Sequence, residues 1–219
     1  MRVLPALILA LPCMGCVTTA EHGDQGADPR EYGPWIALFD GRSLESWKPS
    51  PFGGEGEVVV EDEEILVGFG SPLSGITYVE DLPFPRDGYE LELVAQRLAG
   101  TDFFCGLTFP VGPEHLTLIV GGWGGALVGL SSLDGEDASE NETGSLRAFE
   151  DRRLYRIRVR VDGGRVQAWI DGESVVDVDV ADRQLGLRPE VLESRPLGIS
   201  NFATRAGWRD IRVRSILRP

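Results

Sequence analysis

The residues best suited to chemistry lie in the second half of the chain. His115 is the only histidine in the stretch that reads as folded, which makes its imidazole the first titratable base to test. Trp123 stands inside Gly121-Gly122-Trp123-Gly124-Gly125. Four glycines let the backbone approach a neighbour closely, and the indole offers a flat apolar face of the kind on which the C–H surfaces of sugar rings stack. The competing reading is a tight bend with Trp123 capping the core. Residues 134–143 form an acidic loop in which Glu140 stands beside the amide of Asn141 as a cleft carboxylate and a hydrogen-bonding partner for a sugar. The same loop offers oxygen ligands of the kind Ca²⁺ takes, although it lacks the EF-hand spacing, and solvated loops often share its composition. Trp169 falls on the polar side of its strand, either as a binding platform or beneath a loop. Arg188 and Asn201 are further partners for hydroxyl groups. No Gly-x-Ser-x-Gly elbow or HExxH is present, and the glycines around Trp123 lack the lysine of a phosphate loop.

The elements that must position these residues read as strands. Tyr155, Ile157, Val159 and Val161 alternate with Arg156, Arg158 and Arg160, and Val166, Ala168 and Ile170 repeat the pattern. Asp162-Gly163-Gly164 and Asp171-Gly172 are hairpin signals, so this stretch predicts a three-stranded meander closing on Val176, Val178 and Val180. Tyr89, Leu91, Leu93 and Ala95 alternate with Glu90 and Glu92. The arginine and glutamate faces read as solvent-side cross-strand ion pairs. The sole helical possibility is a short one around Arg183–Leu187. About a dozen strands without crossover helices predict an all-β antiparallel sandwich or barrel. Cys105, in an apolar run, reads as a buried small hydrophobe.

Composition narrows the function. With 21 basic against 35 acidic residues the formal charge is −14, so phosphate backbones repel the chain and nucleic-acid partners are excluded. Two histidines and three cysteines leave little material for a His/Cys metal site, and no cofactor is expected. The N-terminus reads as an address: Met1-Arg2, an apolar Val3–Leu11 too short to span a bilayer, then Gly15-Cys16. This pattern resembles a lipoprotein signal over residues 1–16 with Cys16 lipidated; ordinary cleavage after Ala20 is the alternative. Residues 17–33 read as a flexible tether and 34–219 as the domain. The expected location is the bacterial cell envelope, with the membrane reached through the lipid anchor only.

Trp35-Ile36-Ala37-Leu38-Phe39-Asp40-Gly41-Arg42-Ser43-Leu44-Glu45-Ser46-Trp47-Lys48 resembles the opening signature of the 3-keto-disaccharide hydrolase domain family. Tyr155–Val161, Trp169-Ile170-Asp171-Gly172 and Asp210–Arg214 resemble its closing strands. The resemblance covers roughly residues 34–217. It implies a concanavalin A-like (lectin/glucanase) jelly roll and cleavage of glycosidic bonds in oxidised (3-keto) sugars, with a di- or oligosaccharide as partner. Many members carry Asn-Ser-Gly on one central strand and Glu-x-Gln on the next. Here the matching stretches are Phe104-Cys105-Gly106 and Leu116–Ile119, so Gly106 agrees and the polar residues differ. Three classes of function follow: an exported hydrolase or lyase, a non-catalytic carbohydrate-binding module, and an envelope interaction domain.

Overall fold

The computed structural model describes Asp28 and residues 30–217. The expected signal peptide, Cys16 and most of the tether lie outside the described residues. In chain order the strands are β1 (Glu31–Tyr32), β2 (Ile36–Ala37), β3 (Trp47–Pro49), β4 (Val58–Glu61), β5 (Glu64–Val67), β6 (Leu73–Tyr78), β7 (Tyr89–Gly100), β8 (Cys105–Val111), β9 (Glu114–Gly121), β10 (Leu127–Ser131), β11 (Ser145–Leu146), β12 (Tyr155–Asp162), β13 (Arg165–Ile170), β14 (Glu173–Asp179), β15 (Gly198–Phe202) and β16 (Thr204–Leu217).

They form two antiparallel sheets. The first has the order β14-β13-β12-β7-β16-β5-β4, with β1 and β2 also on β16; the second runs β11-β10-β9-β8-β15-β6-β3. The β12–β13–β14 meander is present, and its two tight turns put Gly163, Gly164, Asp171 and Gly172 at positive φ, as the hairpin signals require. The period of two turns one set of side chains into the space between the sheets. Tyr89, Leu91 and Leu93 from β7 pack there with Leu107, Phe109, Leu116 and Leu118 from β8 and β9. Cys105 is fully buried among them, and desolvation pushes its thiol pKa well up, so it behaves as a small hydrophobe.

The opening motif has a plain structural reason. Leu38 and Phe39 enter the core, Asp40 accepts the amides of Arg42 and Ser43 to turn the chain, and the Trp47 indole donates to the Leu38 carbonyl at 2.7 Å.

Two expectations change. Packing begins before residue 34: β1 pairs with the end of β16, and Arg30 binds Asp162 at 2.7 Å. The helical turn expected at Arg183–Leu187 is absent, because that segment bridges backbone to backbone with residues 132–134. A six-residue 3₁₀ turn follows instead at Pro189–Ser194, started by the φ that Pro189 fixes.

The charged face of the first sheet is more deeply engaged than solvent-side pairing implies. Glu90 is fully buried, held by Arg160 and Arg214, while Glu92 is held by Arg156 and Arg212. Trp35 lies over Arg212 and Arg214, and Trp169 over Arg158 and Arg160. Removing one partner of such a buried cluster leaves desolvated charge behind. Glu90→Ala is therefore expected to lower the unfolding free energy in urea by about 3 kcal/mol. Asp177→Ala, which breaks the exposed Arg165–Asp177 pair, is expected to change it little.

Candidate functional site

The outer face of the second sheet carries small and hydroxyl side chains. Ser131, Thr117, Thr108, Gly198 and Thr77 stand in register across β10, β9, β8, β15 and β6. The neighbouring row reads Gly129, Ile119, Gly106, Ser200 and Gly75. A Cβ on Gly106 would stand 3.0 Å from the Phe103 ring, and one on Gly129 3.1 Å from the Ala138 carbonyl oxygen. The missing side chains thus let loops lie directly on the sheet. Leu73, Phe103, Ile119, Leu127, Ala138 and Val191 form a second apolar cluster there, outside the main core. The 3₁₀ turn lies over β6 and β15, where Thr77 Oγ1 donates to the Glu193 carbonyl at 2.7 Å.

Beside that turn lies a cavity of about 320 Å³. Phe103, Ile119, Val191 and Phe202 give it apolar walls; Asp102, Trp123, Ser131, Asp137, Arg188 and Glu190 supply its chemistry. Trp123 is 46% exposed and held in the left-handed region, φ 47 and ψ 58, with Gly121, Gly124 and Gly125 also at positive φ. A non-glycine residue there carries backbone strain that the surroundings must hold. Arg97 does this from beneath. Its guanidinium donates to the carbonyls of Gly125 and Phe149 and pairs with Asp151. Asp102 braces the same loop, accepting the Gly124 amide at 3.4 Å and the Phe103 amide at 2.8 Å. Its carboxylate has no cationic partner among the described residues.

Arg188 spans the wall opposite, donating to Asp137 at 2.9 Å and to Glu190 at 3.2 Å. The Arg188 hydrogen bond holds the Glu190 carboxyl below its ordinary range, so Glu190 is an anion at neutral pH and no proton donor. Ser131 Oγ is buried and has no hydrogen-bond partner among the described residues. A second cavity of about 410 Å³ adjoins across Asp137, Arg188 and Glu190.

The structure thus brings Trp123 and Arg188 to one cavity and Glu140 to the second. The other sequence candidates sit elsewhere. His115 lies on the same face as Thr117, two residues along β9 and roughly 7 Å away on the rise of a strand, but lines neither cavity. Arg86 Nη2 stands 3.2 Å from its Nε2; a guanidinium only donates, so Nε2 accepts and the ring is neutral. Asn141 is buried and fully committed, donating to the Leu130 and Asp137 carbonyls and accepting from Thr143, which ties the acidic loop to β10. Asn201 points away from this face, its amide on the Thr204 carbonyl at 2.7 Å. Trp169 belongs to the first sheet and stacks on arginines. The acidic loop gathers no cation site: Arg183 holds Asp134 and Glu142, Arg188 holds Asp137, and no cluster of three ligating side chains occurs among the described residues.

Sequence reasoning missed Asp102, Asp137, Glu190 and Ser131. Asp137 was inside a loop already singled out, and Ser131 shares the outward parity of Gly129 on β10. Asp102 has no local signal; only the fold carries it to Trp123.

Residues 34–214 match the model of the 3-keto-alpha-glucoside-1,2-lyase-like domain. No curated protein matches the chain. Among solved structures, a candidate glycosyl hydrolase from Parabacteroides distasonis superposes with a TM-score of 0.52 at 14% identity, over 84% of this chain and 94% of that one. A Bacillus subtilis protein of unknown function with a galectin-like fold gives 0.59 at 14% identity, over 87% and 100%. A β-1,3-1,4-glucanase (lichenase) derived from a mouse hindgut metagenome gives 0.52 at 8% identity, over 84% and 99%. At these identities the likeness establishes the fold: a β-sandwich of the galectin and glycosyl hydrolase type.

Burial, with Arg86 and Arg195 nearby, lowers the His115 pKa to about 4 from its ordinary 6.5. The folded state therefore resists protonation more than the unfolded chain does. The stability that His115 confers is complete above pH 6.5 and is lost as the pH falls toward 4. Thermal melts of His115→Gln against the parent are expected to converge or cross over this window, and a constant difference would show that His115 does not titrate there.

Proposed function

Because the chain belongs to the 3-keto-alpha-glucoside-1,2-lyase-like domain family, we propose that the cavity beneath Trp123 binds a 3-keto glycoside and cleaves its glycosidic bond by elimination and hydration. Membership ties the chain to glycans. The observation that carries the finer reading is the convergence of an exposed indole, an uncompensated carboxylate and a guanidinium on one apolar-walled cavity. Its volume lies in the range typical of small-molecule sites, roughly 300–1,000 Å³.

The ketone at C3 acidifies the hydrogen on C2. Asp102 is the base: its carboxylate is bound only by backbone amides, so its charge is not cancelled by a cation. It takes the C2 proton; the electron pair forms the C1=C2 double bond, and the C1–O bond breaks. The departing alkoxide takes a proton from water, and the hydroxide left behind recovers the proton held by Asp102. Water then adds across the double bond, its oxygen to C1 and a proton to C2, giving the free 3-keto sugar. Charge that develops on the C3 oxygen during proton removal is met by Arg188, whose guanidinium is fixed by Asp137 and Glu190. Trp123 offers its face to the ring, and Ser131 its unpaired hydroxyl. A direct two-carboxylate hydrolysis needs a protonated acid, and the ionised Glu190 does not supply one.

A non-catalytic binding module is the second reading, favoured by the same compensation of Arg188 and by the absence of the family's Asn-Ser-Gly and Glu-x-Gln residues. Asp102→Asn separates the two. It is expected to reduce kcat on a 3-keto-glucoside by at least about 100-fold while leaving the melting temperature close to that of the parent. Trp123→Ala is expected to raise KM more than it lowers kcat. Binding without turnover in the parent protein would select the module.

We also place the protein outside the cytoplasm, anchored through Cys16; the apolar Val3–Leu11 and Gly15-Cys16 support this. Expressed in a bacterium, the parent is expected in the membrane fraction and Cys16→Ser in the soluble fraction. Equal partition of the two would contradict lipidation.

A further inference from the structure

The second cavity is formed where two loops pair. Ser132 and Gly186 exchange backbone hydrogen bonds of 2.9 and 3.2 Å, Asp134 N donates to the Gln184 carbonyl at 2.8 Å, and Arg183 locks Asp134 to Glu142. The walls are therefore preformed. Its shared edge with the first cavity is the Asp137–Arg188–Glu190 bridge, the group that faces the reacting ring. Three polar side chains lining it, Ser132, Glu140 and Gln184, make no hydrogen bond or ion pair among the described residues. Asn141 beside Glu140 is fully committed, so these three are the uncommitted polar groups lining the cavity. No aromatic side chain lines this cavity, in contrast to the first.

We propose that this cavity is the subsite for the leaving unit, and that it selects a neutral, hydroxyl-rich unit over an anionic one. The inference rests on the reading of the first cavity as the 3-keto glycosyl site. The chemistry is direct. A carboxylate accepts from sugar hydroxyls, and a carboxamide both donates and accepts, so Glu140 and Gln184 together satisfy a polyol. Three carboxylates, Asp137, Glu140 and Glu190, stand against the single guanidinium of Arg188, so a second carboxylate brought in by a uronic acid meets like charge.

The test compares three ligands on the full-length protein by calorimetry: methyl 3-keto-glucoside, a 3-keto-glucosyl-glucose disaccharide, and the matching 3-keto-glucosyl-glucuronate. Asp102→Asn is used so that no ligand is consumed. The neutral disaccharide is expected to bind at least about tenfold more tightly than the methyl glycoside and than the uronide. Adding Gln184→Ala is expected to shrink the advantage over the methyl glycoside to less than about threefold, and adding Glu140→Gln to shrink the advantage over the uronide to a similar extent. Equal affinity for methyl glycoside and disaccharide would overturn the subsite while leaving the first cavity intact. Equal affinity for disaccharide and uronide would overturn the selectivity. Failure of all three to bind would remove the glycosyl site and this subsite together.

Discussion

A row of glycines on the outer face of the second sheet is the constraint on which the site depends. Where Gly75, Gly106 and Gly129 stand in one row of the second sheet, loops approach the backbone more closely than any Cβ allows, and Phe52, Phe103 and Ala138 settle into the space. That contact creates a second apolar layer outside the main core. The cavity is what remains between this layer, the Trp123 loop and the 3₁₀ turn at Pro189–Ser194. Filling any of these glycine positions would push the layer outward and close or distort the cavity without touching a polar group in it.

The two faces of the sandwich use charge in opposite ways. On the first sheet, arginines surround Glu90 and Glu92 and are themselves covered by Trp35, Tyr32 and Trp169, so both signs are consumed internally. On the second sheet the charges gather at the rim. Arg188 is held by two carboxylates yet stays 44% exposed, and Asp102 faces the cavity with backbone amides alone. Aromatic residues follow the same division. Trp169 is committed to arginine stacking, whereas Trp123 is propped outward by the strained turn that Arg97 supports.

Much of the sandwich was legible because alternation is a local signal: the β12–β14 meander, the inward face of β7 and the turns at Gly163 and Asp171 follow from residue types a few positions apart. The site was legible only in part. Trp123 stood out through its glycines, and Glu140 through its loop. His115, Asn141 and Asn201 were chosen for side-chain chemistry, but each binds a segment that sequence spacing does not reveal: Arg86 for His115, Leu130 for Asn141, the Val67 carbonyl of β5 for Asn201. Asp102 and Ser131 become neighbours only when β7, β8, β9 and β10 are assembled, and no spacing in the chain encodes that proximity.

The central claim is that C2 of the bound sugar loses its proton before the glycosidic bond is replaced by water. Running the reaction on a 3-keto-glucoside in D₂O and reading C2 of the product by NMR tests it directly. Elimination and hydration place deuterium at C2 faster than the free 3-keto sugar exchanges unaided. Release of a product that keeps its original C2 hydrogen would contradict the account.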